Sequence, residues 1–285
     1  MIMRKFKDFS EVELREEVQI HPSADVSPKA ELENGVTVGS GAVIGPEVKV
    51  GSNTVIGANV VLEGRLTIGS SNRFFPGACI GLEPQDLKYK GASTEVVIGD
   101  DNTIRECVTI NRATEEGERT VLGDGNLLMA YSHIAHNCEI GNGVVMSNSV
   151  QVAGHVLIED RAVIGGCCGI HQFVHIGSLS MTGGMTKVER DVPPFCLVEG
   201  NPGRMRSLNT VGIRRSGLET TNEEEYRQLY EIWKLLYRSG HVLKRGLELA
   251  REKKLFSSSK HLCDFLEGSL QKDRRGPIRV DAMKN

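Results

Sequence analysis

The chain of 285 residues has few aromatic side chains, no C-x-x-C pair and no long apolar run. Aromatic residues make up 5% of it and hydrophobic residues 39%, so the core must be built from Ile, Val, Leu and small side chains. The seven cysteines are odd in number, which favours reduced thiols serving as small core hydrophobes. No apolar run approaches the length of a membrane span, so stable membrane insertion is not expected.

An excess of either sign of charge is also lacking. The formal net charge is −3, which does not favour a nucleic-acid binder. Residues 1–19 carry acidic side chains and lack an apolar segment, so we expect an N-terminal extension that is neither a signal peptide nor a transit peptide. Together with the unpaired cysteines, these absences predict a cytoplasmic protein.

Glycine, by contrast, is abundant at 32 residues, and apolar residues recur at every sixth position. From Ile20 to Val188, 25 of the 29 positions in this register are Ile, Val, Leu, Met or Phe. A period of six fits neither a helix nor a simply alternating strand. It is typical of short strands separated by tight turns, three to a coil of 18 residues. The sequence therefore predicts a mainly β protein with a parallel β-helix over residues 20–200, in preference to a β-sandwich.

The repeat is interrupted twice and then ends. Residues 82–95 and 111–119 break the register and are predicted to project as loops, where binding residues tend to lie. Beyond the repeat we expect a linker over 201–220, a small helical domain over 221–270 and a polar tail over 271–285. The first helix is predicted to begin at a capping box of Thr221 and Glu224, with further helices at 242–255 and 259–269.

Three polar segments are predicted to occupy one corner of consecutive coils: "HIAHNC" (133–138), "QVAGH" (151–155) and "GIHQF" (169–173). In an 18-residue coil, residue i lies beneath residue i+18, so His136 lies under Gly154 and Gly154 under Gln172. Likewise His133 lies under Gln151, and Asn137 under His155. The glycine above His136 leaves room for a ligand, and its N–H is a candidate oxyanion donor.

A zinc site is the competing interpretation of these histidines. His136, His171 and His175 superficially resemble the metal ligands of hexapeptide-repeat carbonic anhydrases. His136 and His171 are 35 positions apart rather than 36, and a one-residue slip turns a side chain to the other face. Because the ligands of those enzymes bridge two subunits, the spacing alone leaves a metal-dependent hydratase open.

The order of several motifs resembles that of the bacterial UDP-N-acetylglucosamine O-acyltransferases, which start lipid A synthesis. The motifs are "QDLKY" (85–89), "HIAHNC", "AGHV" (153–156), "HQF" (171–173), "DVPP" (191–194) and "GIRRSGL" (212–218). The resemblance covers about residues 20–270. It implies a left-handed parallel β-helix followed by a small helical C-terminal domain, and a homotrimer with active sites between subunits.

The activity implied by the resemblance is transfer of a 3-hydroxyacyl group from acyl carrier protein to the 3-hydroxyl of UDP-N-acetylglucosamine. A sugar hydroxyl is a poor nucleophile at neutral pH, so a base must take its proton during attack on the thioester. The resemblance assigns this role to His136, and a neutral imidazole suits it. The N–H of Gly154 would hold the oxyanion, without a covalent intermediate, a metal or another cofactor.

Other positions carry over from the family one at a time. Asp86 and Lys88 would contact the sugar and a phosphate; His133, His155 and Gln172 would line the sugar and acyl pocket; His171 would lie near the substrate; Asn209 and Arg215 would help to bind the nucleotide. Gly184, beside Met181, would limit the length of the acyl chain. A glycine there has no side chain to close the groove, which predicts space for a longer chain of about 14 carbons.

The sequence departs from the family pattern at three positions. Asn137 replaces the usual Asp after the catalytic histidine, and an amide can orient the ring but cannot supply charge. Val211 and Ser216 replace residues of the nucleotide pocket. A basic stretch over residues 201–217 suits the acidic carrier protein; its side chains are Arg204, Arg206, Arg214 and Arg215.

Three alternatives stay open on the sequence. The first is another hexapeptide-repeat acyltransferase, which acts on an amine or uses acetyl-CoA. The second is the zinc hydratase, and the third is a non-catalytic structural solenoid.

Overall fold

The computed structural model describes residues 17–280, and most of this chain is a stack of very short strands. In chain order the strands are β1 (Gln19–Ile20), β2 (Asp25–Val26), β3 (Glu31–Leu32), β4 (Thr37–Val38), β5 (Val43–Ile44), β6 (Val48–Val50), β7 (Val55–Ile56), β8 (Val61–Leu62), β9 (Arg65–Ile68), β10 (Arg73–Phe74), β11 (Cys79–Leu82), β12 (Glu95–Ile98), β13 (Thr103–Ile104) and β14 (Thr109–Asn111). They continue with β15 (Arg119–Leu122), β16 (Leu127–Leu128), β17 (His133–Ile134), β18 (Glu139–Ile140), β19 (Val145–Met146), β20 (Gln151–Val152), β21 (Leu157–Ile158), β22 (Val163–Ile164), β23 (Gly169–Ile170), β24 (His175–Ile176), β25 (Met181–Thr182), β26 (Lys187–Val188), β27 (Cys196–Glu199) and β28 (Arg204–Leu208).

Successive strands belong to three different sheets, so the chain winds as a three-sided coil. Sheet 1 has the order β1-β4-β7-β10-β13-β16-β19-β22-β25-β27-β28, sheet 2 the order β2-β5-β8-β11-β14-β17-β20-β23-β26, and sheet 3 the order β3-β6-β9-β12-β15-β18-β21-β24. Every pairing up to β27 is parallel, and only β27 and β28 pair antiparallel among the described strands. The predicted parallel β-helix is present.

The core is a column of the apolar residues that recur every six positions. Ile56, Ile80, Ile104 and Ile134, for example, are at most 1% exposed. Burying each such side chain stabilises the fold by about 1.5–3 kcal/mol. Because each coil contributes one such residue per sheet, a continuous core forms without large aromatic side chains.

The two interruptions of the repeat keep the register because their lengths are multiples of six. In sheet 2, Val61 pairs with Cys79 18 positions later, but Cys79 pairs with Thr109 and Thr109 with His133, at spacings of 30 and 24. Both insertions leave sheet 2 and return in sheet 3, between β11 and β12 and between β14 and β15. They therefore project at one edge of the prism, here called the 2–3 edge, and the next turn along it is residues 135–138.

The edge between sheets 3 and 1 is held by a ladder of buried asparagines. The backbone N–H and Nδ2 of Asn102 both donate to Asn72 Oδ1 at 3.0 Å. Those of Asn126 donate to Asn102 Oδ1 at 2.8 and 2.9 Å, and Val144 N donates to Asn126 Oδ1 at 2.7 Å. These bonds satisfy turn amides that three stacked coils would otherwise bury without partners.

Between the β-helix and residue 280 there are five helices: α1 (Thr210–Ser216), α2 (Leu218–Thr221), α3 (Glu223–Tyr237), α4 (Leu243–Arg251) and α5 (Ser257–Ser269). The predicted helices are present, but the cap is shifted by one residue. Asn222, not Thr221, is the N-cap of α3, and its Oδ1 accepts from Glu225 N while its Nδ2 donates to Glu225 Oε2. Thr221 already belongs to the preceding short helix.

Two of the expected boundaries need correction. Residues 201–220, predicted as a linker, contain β28, α1 and α2, because β28 pairs antiparallel with β27 across the short turn of residues 200–203 and does not continue the six-residue period. The predicted polar tail packs back onto the β-helix as far as residue 280: Ile278 is 3% exposed and its N–H donates to Asp191 O at 2.8 Å. Most of the predicted N-terminal extension and residues 281–285 lie outside the described residues.

Candidate active site

The predicted stack at the 2–3 edge is present. His133 pairs with Gln151, His155 N donates to His136 O at 3.0 Å, and Phe173 N donates to Gly154 O at 3.2 Å. The His136 ring lies directly against Gly154: a Cβ built on that glycine would be 2.5 Å from His136 Cε1 and 2.6 Å from Nε2. Only glycine at position 154 therefore leaves the ring where it is.

Three residues of the edge have left-handed backbones, namely Asn137, His155 and Phe173, with φ of 60°, 58° and 65°. Asparagine tolerates this conformation, and for histidine and phenylalanine it costs on the order of 1 kcal/mol. The same conformation recurs at turns elsewhere in the β-helix, so it is a property of the coil and not of this edge alone. The His155 ring meets the His136 ring edge-on with centroids 5.2 Å apart and stacks on Phe173 at 4.8 Å. Phe173 is 57% exposed; it was not among the site residues predicted from the sequence, although it occupies the column of Asn137 and His155.

The hydrogen bonds of Asn137 define the tautomer of His136. Thr114 N–H, which can only donate, bonds Asn137 Oδ1 at 3.2 Å, and Thr114 Oγ1 donates to the same oxygen at 3.0 Å. Asn137 Oδ1 also lies 2.9 Å from His136 Nδ1. Nδ1 of the neutral ring must therefore carry the proton, because an amide oxygen can only accept. The lone pair consequently lies on Nε2.

Asp86 faces that lone pair from the loop of residues 83–94. Its Oδ2 lies 3.8 Å from His136 Nε2, too far for a direct hydrogen bond. Its Oδ1 accepts from Lys88 N at 2.9 Å, which closes a tight turn. A substrate hydroxyl that approaches both groups from one side could donate to Nε2, with the carboxylate beside it.

Arg112 fixes this loop to the β-helix. Its guanidinium donates to Gly81 O at 3.0 Å and to the hydroxyl of Tyr89 at 3.0 Å, and it lies over the Tyr89 ring. Asn111 Nδ2 adds a bond to Glu83 O at 2.8 Å. Neither residue was identified from the sequence, because each contacts residues more than 20 positions away.

Burial keeps the two histidines beside His136 neutral. The pKa of His133 is lowered, first by burial and then by the neighbouring His136, while its Nδ1 lies 2.7 Å from Thr109 Oγ1. The pKa of His155 is lowered by burial and by His136, against the opposing effect of Glu118 and Asp86. Because both neighbouring rings are neutral at neutral pH, they do not repel a proton that binds to His136.

Comparison with known proteins identifies the family. A sequence profile described as "Udp N-acetylglucosamine O-acyltransferase; Domain 2" matches residues 191–278, and one described as "Bacterial transferase hexapeptide (six repeats)" matches residues 29–64 and 119–154. The acyl-[acyl-carrier-protein]–UDP-N-acetylglucosamine O-acyltransferase of Synechocystis sp. is 54% identical over 218 residues, which are 76% of this chain and 78% of the relative. The chain belongs to the UDP-N-acetylglucosamine O-acyltransferase family.

Solved structures of this family have the same fold. The UDP-N-acetylglucosamine acyltransferase of Campylobacter jejuni is 38% identical, with a TM-score of 0.84 over 93% of this chain and 100% of that one. The Arabidopsis enzyme is 31% identical, with a TM-score of 0.81 over 91% of this chain and 99% of that one. The predicted left-handed parallel β-helix with a small helical C-terminal part is thus confirmed, as is the assignment as an acyltransferase.

The three histidines of the alternative zinc site, His136, His171 and His175, do not converge on a common point within one chain. His175 lies on β24, where its Nε2 is 2.7 Å from Glu159 Oε1 and its ring packs on Phe265. His171 Nδ1 instead lies 3.0 Å from Gln172 O. Among residues 17–280, no group of three or more His, Cys, Asp or Glu side chains is arranged to hold a metal ion.

The residues predicted to bind nucleotide lie on and before α1. Asn209 is 9% exposed; its Oδ1 accepts from Gly212 N at 3.0 Å and its Nδ2 donates to Leu179 O at 2.8 Å, so it caps the helix. Arg215 is exposed in the last turn. Acids just outside the basic stretch pair with it: Arg206 with Glu199 and Arg214 with Glu219.

The residues predicted to limit acyl length lie on a different edge from His136. Met181 is on β25 of sheet 1, and Gly184 follows it in the turn that leads to sheet 2. Gln172 lies exposed on the 2–3 edge. Within one chain, Gly184 and His136 are therefore separated by the width of sheet 2.

None of the helices within residues 17–280 is both long and apolar enough to traverse a bilayer. All seven cysteines are free thiols, and Cys138, Cys168, Cys196 and Cys263 are buried. The expectation of reduced, mostly buried cysteines is met for these four.

Proposed function

We propose that the chain transfers a 3-hydroxyacyl group from acyl carrier protein to the 3-hydroxyl of UDP-N-acetylglucosamine, the first step of lipid A synthesis. The names of the relatives support acyl transfer from acyl carrier protein to an oxygen of UDP-N-acetylglucosamine, and the finer assignment rests on the resemblance of the motifs. One observation carries the choice of base: Asn137 holds the proton of His136 on Nδ1, which leaves the Nε2 lone pair facing Asp86 across 3.8 Å.

In the proposed reaction, His136 Nε2 takes the proton of the sugar hydroxyl as its oxygen attacks the thioester carbonyl. A carbon–oxygen bond forms and the carbonyl oxygen becomes an oxyanion, which the N–H of Gly154 holds. The carbon–sulfur bond then breaks, and the proton on Nε2 passes to the departing thiolate. With these bonds and this proton accounted for, the proposed reaction requires no metal, redox partner or covalent intermediate. Asp86 and Lys88, in the turn opposite His136, would bind the sugar and a phosphate, and His133, His155 and Gln172 would line the pocket.

We infer that the active unit is a homotrimer with sites between subunits. The support is the separation of the acyl-length residues from His136, since they lie on different edges of one prism. In a three-fold assembly of three-sided coils, one edge of each chain faces another edge of its neighbour. The groove at Met181 and Gly184 of one chain would then continue the pocket at His136 of the next. We further propose that the nucleotide is contacted by Asn209 and Arg215 and that His171 lies near the substrate. The basic stretch of residues 201–217 is the proposed docking surface for the acidic carrier protein.

The test is acyl transfer from 3-hydroxyacyl carrier protein to UDP-N-acetylglucosamine in the presence of a chelator. We expect chelator-resistant activity in the wild type and a loss of about 100-fold or more in kcat for His136→Ala. His21→Ala is the matched control, because His21 is an exposed histidine whose ring contacts only Ser23 in the described structure. Absence of wild-type transfer, together with zinc retained by the purified protein, would instead support the hydratase.

The open groove predicts a preference for longer acyl donors. A Cβ at Gly184 would meet only Gly166 O at 3.4 Å and Gly166 N at 3.9 Å, so a Cβ fits there without moving the backbone. We expect the wild type to prefer a chain of about 14 carbons and Gly184→Leu to favour shorter donors, by about 0.8 kcal/mol for each excluded methylene. A wild-type preference for much shorter chains in a donor series contradicts this assignment.

A further inference from the structure

The two insertions of the β-helix converge on His136 from opposite sides. The loop of residues 83–94 brings Asp86 towards Nε2, and the loop of residues 112–118 brings Thr114 and Glu118 towards the Nδ1 side through Asn137. The loops also bind each other, since Ser93 N donates to Glu116 Oε2 at 2.7 Å and Gly117 N donates to Ser93 O at 3.0 Å. The second loop thus has a defined position beside the base.

Glu118 binds the amide that orients the base. The two Thr114 bonds turn Asn137 Oδ1 towards His136, so Nδ2 must point the other way. There it donates to Glu118 Oε2 at 2.5 Å, a short charge-assisted bond. The same carboxylate oxygen accepts from Glu115 N at 3.3 Å, which limits its movement. The result is a continuous chain of hydrogen bonds from His136 through Asn137 to Glu118.

An amide by itself orients the imidazole but offers only a partial negative charge when the ring becomes an imidazolium. A carboxylate bonded to Nδ2 polarises the amide and strengthens the acceptor at Oδ1, since linked hydrogen bonds reinforce one another. The carboxylate also places a full negative charge near the ring at the moment when the ring gains its proton.

We infer that Glu118 is a positioning residue that supplies, through Asn137, the negative charge supporting His136 as a base. This inference rests on the proposed function of His136. Glu118 contacts neither the reacting atoms nor the space between Nε2 and Asp86, and it acts only by orienting Asn137 and stabilising the imidazolium.

Other charges act on the same pair of rings, and the test must keep them constant. Asp86 and Lys88 face the His136–His155 pair from the 83–94 loop, His133 faces it from β17, and His155 itself lies one coil along. A substitution confined to Glu118 leaves all of these groups in place. Glu118 also acts directly on His155, whose pKa it raises, so a second variant is needed to assign the effect to the chain through Asn137.

The experiment compares Glu118→Gln with Glu115→Gln, which removes one exposed charge from the same loop. For Glu118→Gln we expect kcat to fall about tenfold with KM nearly unchanged. The acid limb of the profile of kcat/KM against pH should move about half a unit to lower pH, because the imidazolium loses a stabilising charge. Glu115→Gln should match the wild type, and thermal unfolding of both variants checks that the fold is retained.

A double variant that exchanges the acid and the amide distinguishes an electrostatic effect of Glu118 on His136 from simple support of the loop. In the double variant Glu118→Gln/Asn137→Asp, the carboxylate lies next to His136, and the amide introduced at position 118 can donate to it. We expect kcat to recover to within about threefold of wild type. Wild-type kinetics in Glu118→Gln would overturn the inference, as would a loss that shifts no pH limb and is not recovered by the exchange. Full activity of His136→Ala would instead overturn the proposed function, so the two failures are distinguishable.

Discussion

Replacement of Gly154 by alanine tests whether the position of the His136 ring is required for activity. The added Cβ would lie 2.5 Å from Cε1 and 2.6 Å from Nε2, whereas ordinary contacts begin at 3.4 Å. The ring must therefore move by about 1 Å, and its bond to Asn137 Oδ1, now 2.9 Å, must be distorted. A displacement of this size in a catalytic group costs about 100-fold in rate. Crowding of this kind also destabilises a fold by about 1–3 kcal/mol.

The assay is steady-state kcat and KM for Gly154→Ala, together with its thermal unfolding. The matched control is Gly169→Ala, one coil further along sheet 2, where an added Cβ meets nothing within 4 Å. We expect the control to keep wild-type activity. If Gly154→Ala retains more than about a third of wild-type kcat, the ring position is not critical and the reasoning fails.

Three further perturbations follow from the contacts described. Asn102→Leu should destabilise the protein to urea by about 2–4 kcal/mol, because Asn126 would lose its acceptor inside the core; an unchanged midpoint would contradict the ladder. Arg112→Ala should raise KM with a smaller effect on kcat, because the loop carrying Asp86 loses its anchor; steady-state kinetics would show an unchanged KM if the anchor is irrelevant. Glu159→Gln should lower stability most between about pH 4.5 and 6.5 in a series of urea titrations, and a pH-independent loss would contradict the ion pairs.

The pH window of the last prediction follows from the groups that join α5 to the β-helix. Burial raises the pKa of Glu159, but its hydrogen bonds to His175 and His261 lower the pKa by more than burial raises it, and the result is about 2. The stability contributed by this carboxylate is therefore present above its unfolded value of 4.5 and is lost as pH falls towards 2. The bond to Glu159 raises the pKa of His261, so the contribution of its charge is present below 6.5 and is lost as pH rises through the raised value.

The solenoid and the stacked corner were predictable because both depend only on spacing along the chain. The apolar period of six defines which residues face inward, and the 18-residue coil places Gly154 on His136 without knowledge of any long-range contact. Extending that same column by one coil would also have identified Phe173. The prediction was wrong for 201–220, because a strand that pairs antiparallel with β27 has no periodic signal of its own.

The sequence by itself determined the repeat, the coil length, the two insertions and the position of the polar corner, because a periodic chain can bury its apolar residues in only one register. Only the tertiary structure decided what the insertions do there. Loops outside the repeat have no register, and their side chains are directed by partners more than 20 residues away. Contacts of that kind place Asp86 opposite Nε2, hold its loop through Arg112 and connect Glu118 to Asn137. The tautomer of His136 is decided in the same way, by a backbone N–H of Thr114.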